Sequence, residues 1–208
     1  MERSTILSRL VPGIYRDDVF RHWLKITAVA FVVMVVGSYV VGMAAPDLAA
    51  KVYDWMAETA QSAEIQTDDG GFSGLSIFLH NFRAMMFTIL YGLIPFIYLP
   101  ALLLGLNAMS LGFVGAHCAN NGLSFWTYLA GILPHGIFEL TAVVLAMSSG
   151  FYLCAMVSRR IRTKQKGLIR TSFALTTQLL FLHIAPLLLI AAFVEAHVTP
   201  AILKAVMG

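Results

Sequence analysis

The chain has 208 residues, 59% of them apolar and 12% charged, with a mean hydropathy of +0.79, whereas a soluble domain carries about 25% charge. This composition excludes an ordinary soluble protein. The longest polar stretch, residues 46–74, leaves no room for a separate soluble catalytic domain. The net charge of +3 matters through its distribution, because lysine and arginine set membrane topology.

Residues 1–25 read as a cytoplasmic amphipathic tail. Ile6, Leu7, Leu10 and Ile14 stand among arginines, a pattern suited to a helix on an anionic inner leaflet. Residues 26–45 form an apolar stretch long enough to cross a hydrocarbon core of about 30 Å. Met43-Ala44-Ala45 has the small side chains of a cleavage site, but the apolar region exceeds that of a signal peptide, so an uncleaved anchor is expected. Arg3, Arg9, Arg16, Arg21 and Lys25 precede this anchor. Asp47, Asp54, Glu58, Glu64, Asp68 and Asp69 follow it, with Lys51 as the one cation among them. The asymmetry predicts a cytoplasmic N-terminus.

Residues 46–74 are an extracytoplasmic acidic loop. Leu48, Val52, Trp55, Met56 and Ala60 recur in it at helical spacing, which predicts a short surface helix, with residues 66–74 as loop.

Residues 75–208 form a four-span helical domain with crossings at about 75–95, 97–117, 134–157 and 168–194. Arg159, Arg160, Arg162, Lys164, Lys166 and Arg170 contain no acid among them and must face the cytoplasm. Residues 123–133 are apolar but too short to cross; Trp126 and Tyr128 suit the headgroup region, so the segment is expected to be interfacial or re-entrant. Pro134 is expected to be the first residue of the following helix, where its missing amide proton is harmless. Cys118 and Cys154 fall near opposite membrane faces, too far apart for an intrachain disulfide. The expected fold is all-α: a polytopic transmembrane bundle of five spans plus the short helix at 123–133, with the N-terminus in, the C-terminus out, and the cell inner (plasma) membrane as its site.

Polar groups at membrane depth are costly and therefore informative. His80, Asn81, Arg83, His117, Asn120, Asn121, His135, Glu139 and Glu195 all fall in the outer half under this topology, which predicts a polar outer chamber. Asn107 joins them from the third span. Arg83 and Glu139 are the expected ion pair of the chamber, each one or two turns inside the boundary. His135 and Glu139 are four apart and share a helix face. Such a cluster either glues helices together or binds a polar solute, an ion or protons.

The ring and carboxylate groups are also candidate zinc ligands, but His-x-x-x-Glu is a weaker pattern than His-Glu-x-x-His, and an arginine at the same depth would repel a dication. No metal and no cofactor is expected. No Gly-x-Ser-x-Gly or phosphate-loop motif is present. Ala142, Ala146, Gly150 and Cys154 form one small-residue stripe, and Ala108, Gly112 and Ala116 another. These either join spans within the chain or build a homodimer.

The run Pro134-His135-Gly136-Ile137-Phe138-Glu139-Leu140, with Asn81 and Asn107 ahead of it, resembles the stage II sporulation protein M family of bacterial membrane proteins. His80 and Ala108 depart from the asparagine and glycine that the family often shows there. The resemblance implies a non-enzymatic membrane component of a larger assembly. In spore formers such proteins anchor partners that degrade peptidoglycan, and many relatives live in organisms that make no spores. The motif positions carried over are Asn81, Asn107, Pro134, His135, Gly136 and Glu139. The first reading is thus a scaffold or subunit of a cell-envelope complex, with the lipid bilayer and other membrane or envelope proteins as partners and no nucleic acid. Solute or ion transport through the polar cluster is the alternative, and a membrane metallohydrolase the remote one.

Overall fold

The computed structural model describes residues 13–62 and 73–207, and among these every regular element is helical. The predicted tail positions Ile6, Leu7 and Leu10, and the acidic residues Glu64, Asp68 and Asp69, lie outside the described residues. After a single turn at Gly13–Arg16, helix α1 runs over Asp18–Ala44. Asp17 starts it, its carboxylate accepting from the amides of Val19 (2.9 Å) and Phe20 (3.3 Å). The anchor helix therefore begins well before residue 26, and Arg21, His22 and Lys25 belong to its first turns.

Helix α2 (Pro46–Ser62) follows directly and lies along the helix that spans Pro100–Asn120, with Tyr53 stacked on His117 at a centroid distance of 4.3 Å. Helix α3 (Gly74–Tyr91) is capped by Ser73, whose hydroxyl accepts from the Ser76 amide. Helix α4 covers Pro100–Asn120 with proline in its first turn, α5 covers Phe125–Thr163, and α6 covers Leu168–Val206. Two π-helical turns, Leu180–Ile184 and Val194–Val198, interrupt α6.

Four of these helices, α1, α4, α5 and α6, are long and apolar enough to cross a membrane. Helix α3 has 18 residues and carries His80, Asn81 and Arg83, which lower its hydropathy.

Residues 125–133 do not form the separate short helix expected above but are the first turns of α5. Ser124 nucleates α5 by accepting from the Thr127 amide at 3.0 Å, and the helix continues without a break through Pro134 to Thr163. Pro134 is consequently an interior residue of α5 and not its first. It removes the amide proton that would bond the Ala130 carbonyl, one lost bond in a helix of 39 residues.

The centre of the bundle is α5, buried on every side from Leu145 to Cys154 without interruption. Helices α1, α3, α4 and α6 surround it. Both small-residue stripes are used inside the chain. Ala142, Ala146, Gly150 and Cys154 are fully covered, and a Cβ on Gly150 would lie 2.7 Å from Pro100 Cγ and 2.8 Å from the Thr88 carbonyl. A Cβ on Gly112 would collide with Ser38 and the Val35 carbonyl of α1. These surfaces are not available to a second copy. Both cysteines are free, Cys154 buried and Cys118 partly so.

Basic residues gather at the end of the bundle where α1 begins and where α5 hands over to α6. There Tyr152 donates to Asp17 at 3.0 Å, and the Arg162 guanidinium lies over the Phe96 ring. The turn between α3 and α4 places Phe96 (φ 67°) and Tyr98 (φ 50°) in left-handed conformations, held by a bond from the Phe96 amide to Ser158 Oγ at 3.0 Å.

Candidate functional site

A cavity of about 490 Å³ opens at the other end of the bundle. Helix α2 contributes Trp55, Met56 and Thr59 to its wall. Helix α3 contributes His80 and Asn81, α4 contributes Asn107 and Ser110, α5 contributes His135, Gly136 and Glu139, and α6 contributes Glu195.

The i, i+4 spacing of His135 and Glu139 turns both side chains toward this space, and Gly136 between them is buried. Glu195 reaches it from the π-helical turn Val194–Val198. Donor atoms of His135, Glu139 and Glu195 all lie within 4.8 Å of one another. Two neighbours orient the group: Asn81 Nδ2 donates to Glu139 Oε1 at 3.2 Å, and Thr199 Oγ1 lies 3.2 Å from His135 Nδ1.

The expected ion pair between Arg83 and Glu139 does not form. Arg83 is exposed, does not line the cavity, and makes no ion pair with Glu139. The reason is angular: Asn81 and Arg83 are two residues apart, about 200° around a helix, so α3 presents only one of them to Glu139. The cavity wall thus contains two carboxylates and no lysine or arginine among the described residues. Two unit charges no more than 4.8 Å apart would repel by at least about 3 kcal/mol at an effective dielectric of 20.

The other sequence candidates divide. His80 and Asn107 line the cavity, although Asn107 Nδ2 donates back to the Leu103 carbonyl of its own helix at 2.9 Å. Pro134 sits one position before His135, half-buried. His117, Asn120 and Asn121 lie outside: His117 stacks on Tyr53, Asn120 donates to the Gly42 carbonyl at 3.2 Å, and Asn121 to the His117 carbonyl. A further histidine of α6, His183, lies at the opposite end of the bundle, its Nδ1 2.9 Å from the Tyr15 hydroxyl.

Thr199 was absent from the sequence candidates. It follows Glu195 by four positions, the same spacing that joins His135 to Glu139, but the π turn between them removes regular helical spacing as a signal for it.

Long apolar helices around a sealed helical centre, with a carboxylate-lined cavity at one end, define an integral membrane protein. The chain belongs to the Stage II sporulation protein M family, whose model matches residues 26–200. That match encloses every cavity-lining residue. The chain is also similar to an uncharacterized protein of Methanocaldococcus jannaschii, 32% identical over 134 residues, which are 63% of this chain and 73% of the relative. No solved structure matches the chain.

Proposed function

We propose that this protein is a non-enzymatic integral membrane subunit, or scaffold, of a cell-envelope complex, resident in the plasma membrane. Five crossings are assigned, with α3 as the second, the N-terminus inside and the C-terminus outside. The basic residues at the start of α1 and around the α5–α6 junction then share the cytoplasmic face, while Asp47 and Asp54 of α2 face outward. The cavity opens on the extracytoplasmic side. Partners in the envelope meet α2 and the outer ends of α5 and α6. No homodimer through the small-residue stripes is included, since those stripes are filled within the chain.

One observation carries the choice of a binding or organising role over a pore. Below the cavity, Met147, Ser148, Ser149, Gly150, Phe151, Tyr152, Leu153 and Cys154 are all buried, and Gly92 and Gly150 bring the backbones of α3 and α5 together. A conduction path needs hydrated space across the whole bilayer, and this packing supports a closed one.

The test is reconstitution into liposomes under a proton or potassium gradient, alongside native electrophoresis of mildly solubilised membranes. The expected result is no flux above empty vesicles, and migration in an assembly larger than the purified protein. Transport is the second reading, favoured by the paired carboxylates facing one cavity. Flux that Glu139→Gln abolishes would establish it and displace the first.

A further inference from the structure

We propose that His135, Glu139 and Glu195 bind a divalent transition-metal ion of the zinc class, with an open coordination position facing the cavity. This goes beyond the scaffold reading and does not depend on it.

The donor set comes first. One imidazole and two carboxylates are hard-to-borderline ligands suited to Zn²⁺, and three protein ligands with a fourth position left to solvent is the open form of a zinc site. Their donor atoms lie within 4.8 Å of one another. Tetrahedral donors about 2.0 Å from an ion are separated by about 3.3 Å, a contraction that rotation of two flexible glutamate chains supplies.

The surroundings supply the second and third observations. Ligand residues in metal sites are held by outer partners that fix their orientation, and two are present here from outside the trio. Thr199 Oγ1 lies 3.2 Å from His135 Nδ1 and sets the plane of the ring; with Nδ1 protonated and donating to that hydroxyl, Nε2 is the nitrogen left to bind the ion, and Asn81 Nδ2 holds Glu139 Oε1. Glu195 enters from a π-helical turn, a local distortion that costs regular helix bonding and recurs at functional sites.

Charge points the same way. Two carboxylates share the wall with no lysine or arginine among the described residues, and Arg83, whose charge would oppose a dication, faces away. A bound dication balances the pair. The ion joins α5 to the outer part of α6, and its free position is directed at a space of about 490 Å³.

The experiment uses the full chain, free of any affinity tag, stripped with a chelator in mild detergent and titrated with Zn²⁺. One ion per chain is expected, with a rise in melting temperature. Glu195→Gln and His135→Gln should each weaken binding by more than about a hundredfold, and Thr199→Val by about tenfold. His117→Gln, at a ring stacked on Tyr53 away from the cavity, should leave affinity unchanged. X-ray absorption at the zinc edge of the wild-type protein should report a mixed nitrogen and oxygen sphere with a single imidazole, a readout that needs no variant to fold. Failure of the folded, stripped protein to take up Zn²⁺, binding unaltered in folded Glu195→Gln, or a sphere with sulfur or several imidazoles would each overturn the site.

Discussion

The side-chain amide of Asn81 donates to the carboxylate of Glu139 at 3.2 Å, and this neutral donor takes the place that a charged arginine two residues further along α3 would otherwise fill. Truncating Asn81 to Ala should therefore cost about 1 to 3 kcal/mol, the penalty for a half-buried carboxylate that loses its partner. Arg83→Ala should cost no more than about 0.5 kcal/mol, as for an ordinary exposed side chain. Thermal unfolding in mild detergent gives the order. A larger loss for Arg83→Ala would restore the ion pair expected from the sequence.

The contact between α5 and its neighbours yields a second expectation. Ala146 is fully buried and Gly150 meets Pro100 and the Thr88 carbonyl at distances that leave no space for a methyl group. Gly150→Ala and Ala146→Leu should each destabilise the fold by about 1 to 3 kcal/mol through overpacking. The readout is the yield of monodisperse protein after solubilisation. A well-folded Ala146→Leu protein of halved mass would instead assign the stripe to an interface between copies.

At the opposite end of the molecule, Tyr152 donates to Asp17, the residue that also caps α1. Removing the hydroxyl in Tyr152→Phe should cost about 1.5 to 3 kcal/mol, the range for a bond to a charged group. Because Asp17→Ala loses both this bond and the cap, the double substitution should cost less than the sum of the two single ones. Additive losses in a double-mutant cycle would mean that the tyrosine and the aspartate act independently.

Membrane orientation is open to chemical labelling. In a background where Cys118 and Cys154 are serine, a cysteine at Asp54 in α2 should react with an impermeant thiol reagent in intact cells, and one at Lys164 should not. The opposite pattern would invert the bundle and place the cavity on the cytoplasmic side.

The composition and the spacing of polar residues carried much of this structure. Apolar stretches near the required length located all four of the long apolar helices, because a helix that must satisfy its own backbone in lipid leaves a continuous hydrophobic record. The face shared by His135 and Glu139 was likewise legible, since four residues make about one turn. The sequence does not mark the boundary between residues 123–133 and α5, because Pro134 suits the first turn of a helix and nothing in the apolar pattern shows that nine helical residues precede it. Only the Ser124 cap shows that the helix had already begun.

Sequence by itself determined that this is a helical membrane protein, which polar residues stand within or beside its apolar stretches, and where the family motif falls. Tertiary structure alone decided which of those polar residues meet. Glu195 arrives from a helix whose π turn shifts the register beyond what regular spacing predicts, and Thr199 comes with it. Arg83 and Asn81 differ by the rotation of one helix about its own axis, a quantity that hydropathy does not encode. The small-residue stripes could equally have met a second copy, and the packing of Pro100 and Thr88 onto Gly150 gives them to the chain's own helices. Depth is a one-dimensional property written along the chain. Partnership depends on azimuth and register between segments that are far apart in it.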